Sequence, residues 1–431
     1  AFVRYSSLNI LGMIGLSGYI LADTFFVAKG LGASGLAALN IALPIYSFVK
    51  GSGLLFGMGG ATKYMIQKSQ GENLKANQIF TQVMLMTLCV SIGFFTIGLF
   101  LSGQIATLLG ADEMVLDMCR TYLQVTLLFA PLYMLNNGLL CFIRNDGAPQ
   151  LSMYAMLVGS LSNIVLDYIF IFPFKMGMFG AAFATGLAPA ISIVILVPFF
   201  LKKKNTFHFV KCKFSWRLCC GIFSSGLPSL ITEVSSGTVI IVFNIIILKL
   251  QGNIGVAAYG VIANLSFVVI SIYTGIAQGI QPLISKNYGI ANHENVQNVL
   301  FYAMTTVAII SIVVYVSLFL GAQQIVSIFN SEHNATLQAI ATTGLKIYFT
   351  ACFFAGFNII LSVYFTSTEN ARPAHIISFL RGFLLIIPMA FLLAWVWGMT
   401  GVWCVFPVTE LMVALIGGML YIRAKRREAL F

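Results

Sequence analysis

The stretch YILADTFFVAKGLGASGLAALN, residues 19–40, places an acid inside an apolar run long enough to cross a membrane and follows it with a glycine-rich turn. A carboxylate in hydrocarbon costs roughly 3 kcal/mol on insertion scales, so it normally faces a partner or a wet cavity. Tyr19 stands four residues before Asp23, and residues four apart share one face of a helix. The stretch therefore predicts a small polar cluster within a membrane span.

A second cluster of the same kind occurs farther along the chain. Asp167 lies in another apolar run, and Asn163 precedes it by four residues. Such clusters suit a proton or a cation better than they suit packing. The alternative is that each acid only holds two helices together through a hydrogen bond.

The composition indicates an integral membrane protein. The chain is 59% apolar and 9% charged, against about 25% charged residues in an ordinary soluble domain. A span needs about 20 apolar residues, so 431 residues can hold on the order of twelve spans with short loops. We predict an all-α polytopic protein with spans at approximately 5–28, 36–60, 78–103, 115–142, 150–173, 178–201, 217–249, 256–284, 296–320, 338–367, 374–397 and 401–422.

The net charge of +11 is distributed by side of the membrane. With these spans, 17 of the 24 basic residues fall on one face: Arg4, Lys63, Lys68, Lys75, Arg144, Lys202, Lys203, Lys204, Lys211, Lys213, Arg217, Lys286, Arg372, Arg423, Lys425, Arg426 and Arg427. The positive-inside rule places this face, and with it both termini, in the cytoplasm. The basic charge then reflects topology, and we expect no nucleic acid as a partner.

The two halves of the chain resemble each other at a shift of about 220 residues. GASGLAA at 32–38 matches GNIGVAA at 252–258, and GMFG at 177–180 matches GMTG at 398–401. Six spans in each half make these parallel repeats, an arrangement common among secondary transporters, which place the substrate site between the halves. We predict a first six-helix bundle at 1–201, a cytoplasmic linker at 202–216, a second six-helix bundle at 217–422 and a basic cytoplasmic tail at 423–431.

Five short strings, in this order on a duplicated chain, carry a family resemblance. They are ADTFFV (22–27), GLGASGLAALN (30–40), GMGGA (57–61), RNDGAP (144–149) and NIVLDYIFIF (163–172). The chain resembles the multidrug and toxic compound extrusion (MATE) family, and within it the bacterial branch of MepA-type and DinF-type transporters. The resemblance implies two bundles around a V-shaped cavity, with export driven by the entry of sodium ions or protons.

The resemblance also implies a cation site in the first bundle. Its residues would be an acid in span one, an Asn and an acid in span five, a Thr in span six and an aromatic residue beside them: Asp23, Asn163, Asp167, Thr185 and Tyr19. Sodium would bind the first four, or a proton would bind the acids. No cofactor besides the coupling ion is expected.

Other charged residues within the spans leave alternatives open. Lys50 is a counter-ion to Asp23 or Asp167, or its long stem reaches the membrane surface. Arg381 pairs with Glu410 because buried charges need partners, or Glu410 instead faces the cavity. Glu233 is a substrate-facing acid or a helix-packing group.

The expected function is a secondary antiporter that exports small organic compounds, cationic or amphipathic, from a bacterial inner membrane. Met and aromatic side chains adapt to varied organic cations, and the cavity candidates are Met58, Phe56, Tyr133 and Met134, with Glu233 and Glu410. The alternative is a flippase for lipid-linked or other amphipathic cargo. No catalytic motif is found, so we expect no enzyme; we also expect a monomer embedded in the lipid bilayer.

Overall fold

The structure, a computed structural model, describes residues 1–330 and 333–428. Within these ranges it is helical with no strand. The last three residues of the predicted tail lie outside the described residues. The helices are α1 (Phe2–Ser69), α2 (Asn73–Leu108), α3 (Leu116–Leu128), α4 (Ala130–Asn145), α5 (Pro149–Ile171), α6 (Gly177–Leu201), α7 (Trp216–Gly289), α8 (His293–Leu320), α9 (Ala322–Phe329), α10 (Ala335–Tyr348), α11 (Cys352–Ser367), α12 (Ala371–Phe379) and α13 (Ile386–Glu428).

Two of these helices, α1 and α7, each hold two spans, and the stretch from α12 through α13 also holds two. Helix α1 has 68 residues, which would extend about 100 Å if straight, far more than the membrane core of about 30 Å. It turns back at Gly32, whose φ is +70°, and α7 and α13 turn in the same way at Gly252 and Gly398.

The predicted twelve-span all-α architecture is confirmed. Eight helical stretches in the described part of the chain are long and apolar enough to cross a membrane, and α3 with α4 forms a ninth that is bent by 48°. Because α1, α7 and the stretch from α12 through α13 each cross twice, these nine stretches supply twelve spans.

The internal repeat is visible in the turns between spans. Five residues of the first half have a positive φ at positions that recur in the second half at shifts of 220 to 223 residues. The first set is Gly32, Gly71, Gly110, Gly147 and Gly177, and the second is Gly252, Ala291, His333, Glu369 and Gly398. The two halves therefore share one backbone plan, although three second-half turns lack the glycine that a left-handed conformation favours.

Ala291→Gly is expected to stabilise the protein. Ala291 has a φ of +55° in the turn before α8, and this conformation costs an L residue about 1–2 kcal/mol. Glycine removes that cost and adds about 0.5–1 kcal/mol of unfolded-state entropy, so the free energy of unfolding should rise by up to about 1 kcal/mol. Thermal unfolding in detergent measures the change, and Ala257→Gly, at an exposed helical position, should lower the midpoint instead.

Apolar packing separates the chain into two groups of spans. Buried side chains of the first half form two adjoining clusters, and those from Phe243 to Val413 form one large cluster. The segment that joins the halves packs on the first group, where the Phe207 ring lies 4.7 Å from that of Phe80. The Thr206 backbone N–H also donates to the Asp146 carboxylate at 2.8 Å.

The two bundles are joined at the end of the molecule that carries the N-terminus and the linker, called here the basic end. A Cβ placed on Gly226 of α7 would overlap the backbone oxygen of Leu55, and one on Gly59 would overlap that of Ile222. Helix backbones are therefore in direct contact there. Arg144 Nη1 also donates across the interface to Gln278 at 2.7 Å.

The joining contacts stop near the middle of the spans. Among the described residues, the hydrogen bonds, ion pairs and close glycine approaches between the bundles lie from the basic end up to the Ser17–Ser271 hydrogen bond and the approach of Gly237 to Ser47. Each of these four residues falls close to the midpoint of its span. The bundles thus meet over one half of their length, and the space between them opens toward the opposite end.

Candidate functional site

The two acids predicted from the sequence meet inside the first bundle. Asp23 on α1 is 6% exposed, Asp167 on α5 is fully buried, and their carboxyl groups lie within hydrogen-bonding reach of each other. The Oδ1 atom of each acid has no hydrogen-bond partner. Two ionised carboxylates at this range repel strongly, and a shared proton or a bound cation would relieve that repulsion.

Asn163 and Thr185 complete the polar cluster around Asp167. When the Asn163 amide is oriented to satisfy its neighbours, Nδ2 donates to Asp167 Oδ2 at 3.0 Å and Oδ1 accepts from the Thr185 backbone N–H at 3.2 Å. The Thr185 hydroxyl donates to the backbone oxygen of Ala181 at 3.0 Å. Spans one, five and six therefore bring the four predicted cation-site residues together, as the i, i+4 spacing on α5 requires.

A cluster of tyrosines borders the acids. The hydroxyls of Tyr19 and Tyr46 lie 2.5 Å apart, and Tyr133 donates to the backbone oxygen of Thr185 at 2.7 Å. The rings of Tyr46 and Tyr133 meet edge to face at 5.6 Å, and Tyr122 lies close to both acids. The sequence identified Tyr19 and Tyr133 but missed the other two. Tyr46 had a recognisable pattern, since it stands four residues before Lys50.

The donor atoms of this cluster fit a hard monovalent cation or a proton. Carboxylate, amide and hydroxyl oxygens are the ligands that hard cations take. Within the part of the chain that the structure describes, no three His, Cys, Asp or Glu side chains are grouped to hold a metal ion. The residues present therefore do not form a site of the kind that transition metals occupy.

A cavity of about 770 Å³ lies beside the tyrosines, mostly within the first bundle, at its border with the second. Both bundles line it, with Tyr19, Tyr46 and Lys50 from the first and Glu233 and Gln278 from the second. The lining combines tyrosine and apolar side chains with a few charged and amide groups, as small-molecule sites do. The cavity can therefore hold an organic compound next to the acid pair.

Lys50 does not pair with the acids of the first bundle. Its Nζ lies 3.0 Å from Glu233 Oε2, with side-chain exposures of 15% and 20%. The prediction of Asp23 or Asp167 as its partner was wrong because Lys50 points into the space between the bundles, along the same face of α1 as Tyr46. The pair instead joins the second span to the seventh.

Arg381 and Glu410 form the predicted pair. Arg381 Nε and Nη2 donate to Glu410 Oε1 at 3.0 and 2.7 Å, and Asn358 Nδ2 donates to Oε2 at 2.7 Å. Arg381 lies in a π-helical turn, Leu380–Leu384, between α12 and α13. The pair also lines a cavity of about 760 Å³ in the second bundle, so the pairing and the cavity-facing position of Glu410 occur together.

Arg381→Met is expected to destabilise the protein by about 3–5 kcal/mol, because it leaves a buried carboxylate without its charge partner. The Glu410 side chain is only 2% exposed. Thermal unfolding of the purified protein measures the loss. The double variant Arg381→Met, Glu410→Gln should recover most of it, and a single variant as stable as the parent would mean that the pair contributes nothing.

The apolar cavity candidates divide into two kinds. Tyr133 lines the 770 Å³ cavity, and Met58 lines a third cavity of about 610 Å³ between the bundles. Phe56 and Met134 lie in the apolar core of the first bundle, and their prediction as cavity residues was wrong. Phe56 stands two residues before Met58, about 200° around the helix, so it points away from the partner bundle.

The chain is similar to known proteins over most of its length. The MatE family model matches residues 9–169 and 228–392. The multidrug export protein MepA of Staphylococcus saprophyticus is 28% identical over 399 residues, covering 92% of this chain and 87% of the relative. MepA of Staphylococcus aureus strain MSSA476 is 27% identical over 419 residues, covering 96% and 91%.

Solved structures match the fold. A MATE protein crystallised in complex with MaL6 has a TM-score of 0.91 at 23% identity, covering 99% of this chain and 96% of that one. An outward-facing multidrug resistance MATE transporter of the MOP superfamily has a TM-score of 0.90 at the same identity and coverage.

Proposed function

Because the chain belongs to the MatE family and is a multi-pass membrane transporter of the multidrug efflux class, we propose that it is a secondary antiporter. It exports small organic compounds, cationic or amphipathic, in exchange for sodium ions or protons. The coupling ion binds at Asp23 and Asp167, supported by Asn163, Thr185 and Tyr19.

One observation carries the proposal: the four acids that lie deep within the spans differ in their counter-charges. Glu233 is paired with Lys50 and Glu410 with Arg381. Among the described residues, no Lys, Arg or His nitrogen within 4.0 Å pairs with Asp23 or Asp167. Buried carboxylates without a partner are costly in a membrane, so this pair is the one that needs a cation from solution.

Ion and cargo are coupled through the first bundle. The acid pair lies on α1 and α5, and Tyr19 and Tyr46, which are near Asp23, line the cavity. Without a bound ion, the two carboxylates repel each other. Ion binding removes this repulsion and therefore favours one packing arrangement of these spans over the other. Export follows when the ion and the cargo prefer opposite states of the protein.

Direction follows from the charge distribution. The basic end, where the bundles touch, faces the cytoplasm by the positive-inside rule, with both termini on that side. The space between the bundles in this conformation then opens outward, to the side on which cargo is released and the coupling ion enters. The membrane is the bacterial inner membrane, and the protein acts as a monomer that requires no cofactor.

Export can be tested in bacterial cells that lack their own efflux pumps. Cells that produce the protein should accumulate several-fold less ethidium than cells with an empty vector. Collapsing the proton gradient with a protonophore, or removing sodium, should each be tried separately, and one of them should restore accumulation. Unchanged accumulation in producing cells would contradict export of organic cations, and lipid-linked cargo would then be tested in its place.

A further inference from the structure

The Lys50–Glu233 ion pair occupies an unusual place, because it joins the two bundles at the edge of the cavity in the first bundle. Lys50 lies in the second span and Glu233 in the seventh, and both line the 770 Å³ cavity. Glu233 also lines the 610 Å³ cavity on its other side. The carboxylate is therefore reachable from both spaces in which cargo can lie.

The ammonium on Lys50 has the chemistry of the cargo itself. A lysine side chain is a primary alkylammonium ion on a flexible four-carbon stem, and the proposed substrates are organic cations. In this conformation Glu233 therefore binds an alkylammonium group, which is the side chain of Lys50. Cationic cargo that reaches Glu233 must displace Lys50 from it.

Formation of the pair depends on contact between the bundles. Gly51, next to Lys50, packs so closely on α7 that a Cβ there would lie 2.9 Å from the side chain of Leu230 and 3.1 Å from Cβ of Glu233. Lys50 and Glu233 lie within the joined half, about one helical turn before the approach of Gly237 to Ser47. If the bundles separate at the basic end, the second and seventh spans part and the two side chains move out of reach of each other.

We propose that Lys50 is a tethered competitor of cationic cargo at Glu233. It holds the carboxylate when the bundles close at the basic end, which expels cargo toward the open side. It leaves the carboxylate free when that end opens, which lets organic ammonium ions bind from the other side. This inference rests on the proposed export function and adds to it the residue that makes release directional.

The competitor differs from a general electrostatic effect in one testable respect. Arg144 also lines the cavity, so removing any positive charge would favour a cationic ligand to some degree. A general effect of Lys50 would persist when Glu233 is neutral, because it acts through the field of the cavity. Competition for one carboxylate requires both residues, so the effect of Lys50 must vanish in a Glu233→Gln background.

The test is equilibrium binding of tetraphenylphosphonium to the purified protein without any ion gradient. Lys50→Met should bind it about tenfold more tightly than the parent, the change that loss of an interaction worth about 1.4 kcal/mol produces. Lys50→Arg should bind like the parent because a tethered cation remains. Glu233→Gln and the double variant Lys50→Met, Glu233→Gln should bind with equal, weak affinity.

Two results would overturn the inference. One is that Lys50→Met binds tetraphenylphosphonium no more tightly than the parent does. The double variant, which carries no unpaired charge at this pair, is the control for folding. The other result is tightening by Lys50→Met that survives in the Glu233→Gln background. If neither the parent nor any variant binds tetraphenylphosphonium, both the proposal of cationic cargo and this inference are contradicted. The assay uses no ion gradient. Its result therefore does not depend on whether Asp23 is part of the coupling site, and the two proposals can fail separately.

Discussion

Replacing Asp23 with Asn is expected to reduce gradient-driven efflux by about 5- to 150-fold, the range that corresponds to a coupling free energy of about 1–3 kcal/mol. Asparagine keeps the size of the side chain but carries no charge with which to hold a proton or a sodium ion. It also leaves Asp167 without its like-charged neighbour, so folding should not suffer. The initial rate of ethidium efflux from proteoliposomes measures the loss.

Asp167→Asn should produce the same loss, since either variant breaks the pair. Asp117→Asn is the matched control, because it neutralises an exposed acid at the first turn of α3 and should transport at the parental rate. Full efflux in Asp23→Asn, at parental protein levels, would contradict the assignment of the coupling site.

Gly226→Ala is expected to prevent closure of the basic end and to reduce efflux at least about tenfold. A Cβ at Gly226 would overlap backbone atoms of Leu55, and backbone cannot rotate away as a flexible side chain can. The overlap acts only between the bundles, so each bundle should fold and the protein should rest with its basic end apart. Spin labels at the exposed positions Lys75 and His293 measure the separation as a distance distribution.

The matched control for this prediction is Gly260→Ala in the eighth span, where a Cβ would meet no atom within 4 Å. It should leave both the label distance and the efflux rate at parental values. If Gly226→Ala also leaves the label distance unchanged, the close approach of α1 and α7 is not required for closure.

The fold could largely be predicted from the sequence, because apolar length and glycine-rich turns are local properties. The match between residues 32–38 and 252–258 identified two turns that share a left-handed glycine. The turns at Ala291, His333 and Glu369 could not be aligned in this way. They keep the backbone conformation of the first half with side chains that have no glycine pattern.

The parts of the candidate site that depend on residue spacing within one helix could be predicted from the sequence. The contacts between the two bundles could not. Asp23 and Asp167 each had a polar residue four positions earlier, and the cost of an acid in hydrocarbon made them conspicuous. The partner of Lys50 depends on how deep the second and seventh spans lie relative to each other, which no local pattern encodes. The same limit applies to Phe56, since only tertiary packing decides which side of a span faces the core.

Ion binding at the acid pair of the first bundle is expected to drive the export of cargo from the cavity beside it. The most direct measurement imposes only a cargo gradient, with ethidium inside proteoliposomes, and records the inward movement of sodium or protons. Coupling is reciprocal, so outward flow of cargo through the parent protein should drive one of these ions inward, and Asp23→Asn should abolish that movement. Ion movement that is absent in the parent, or that persists in Asp23→Asn, would contradict the account.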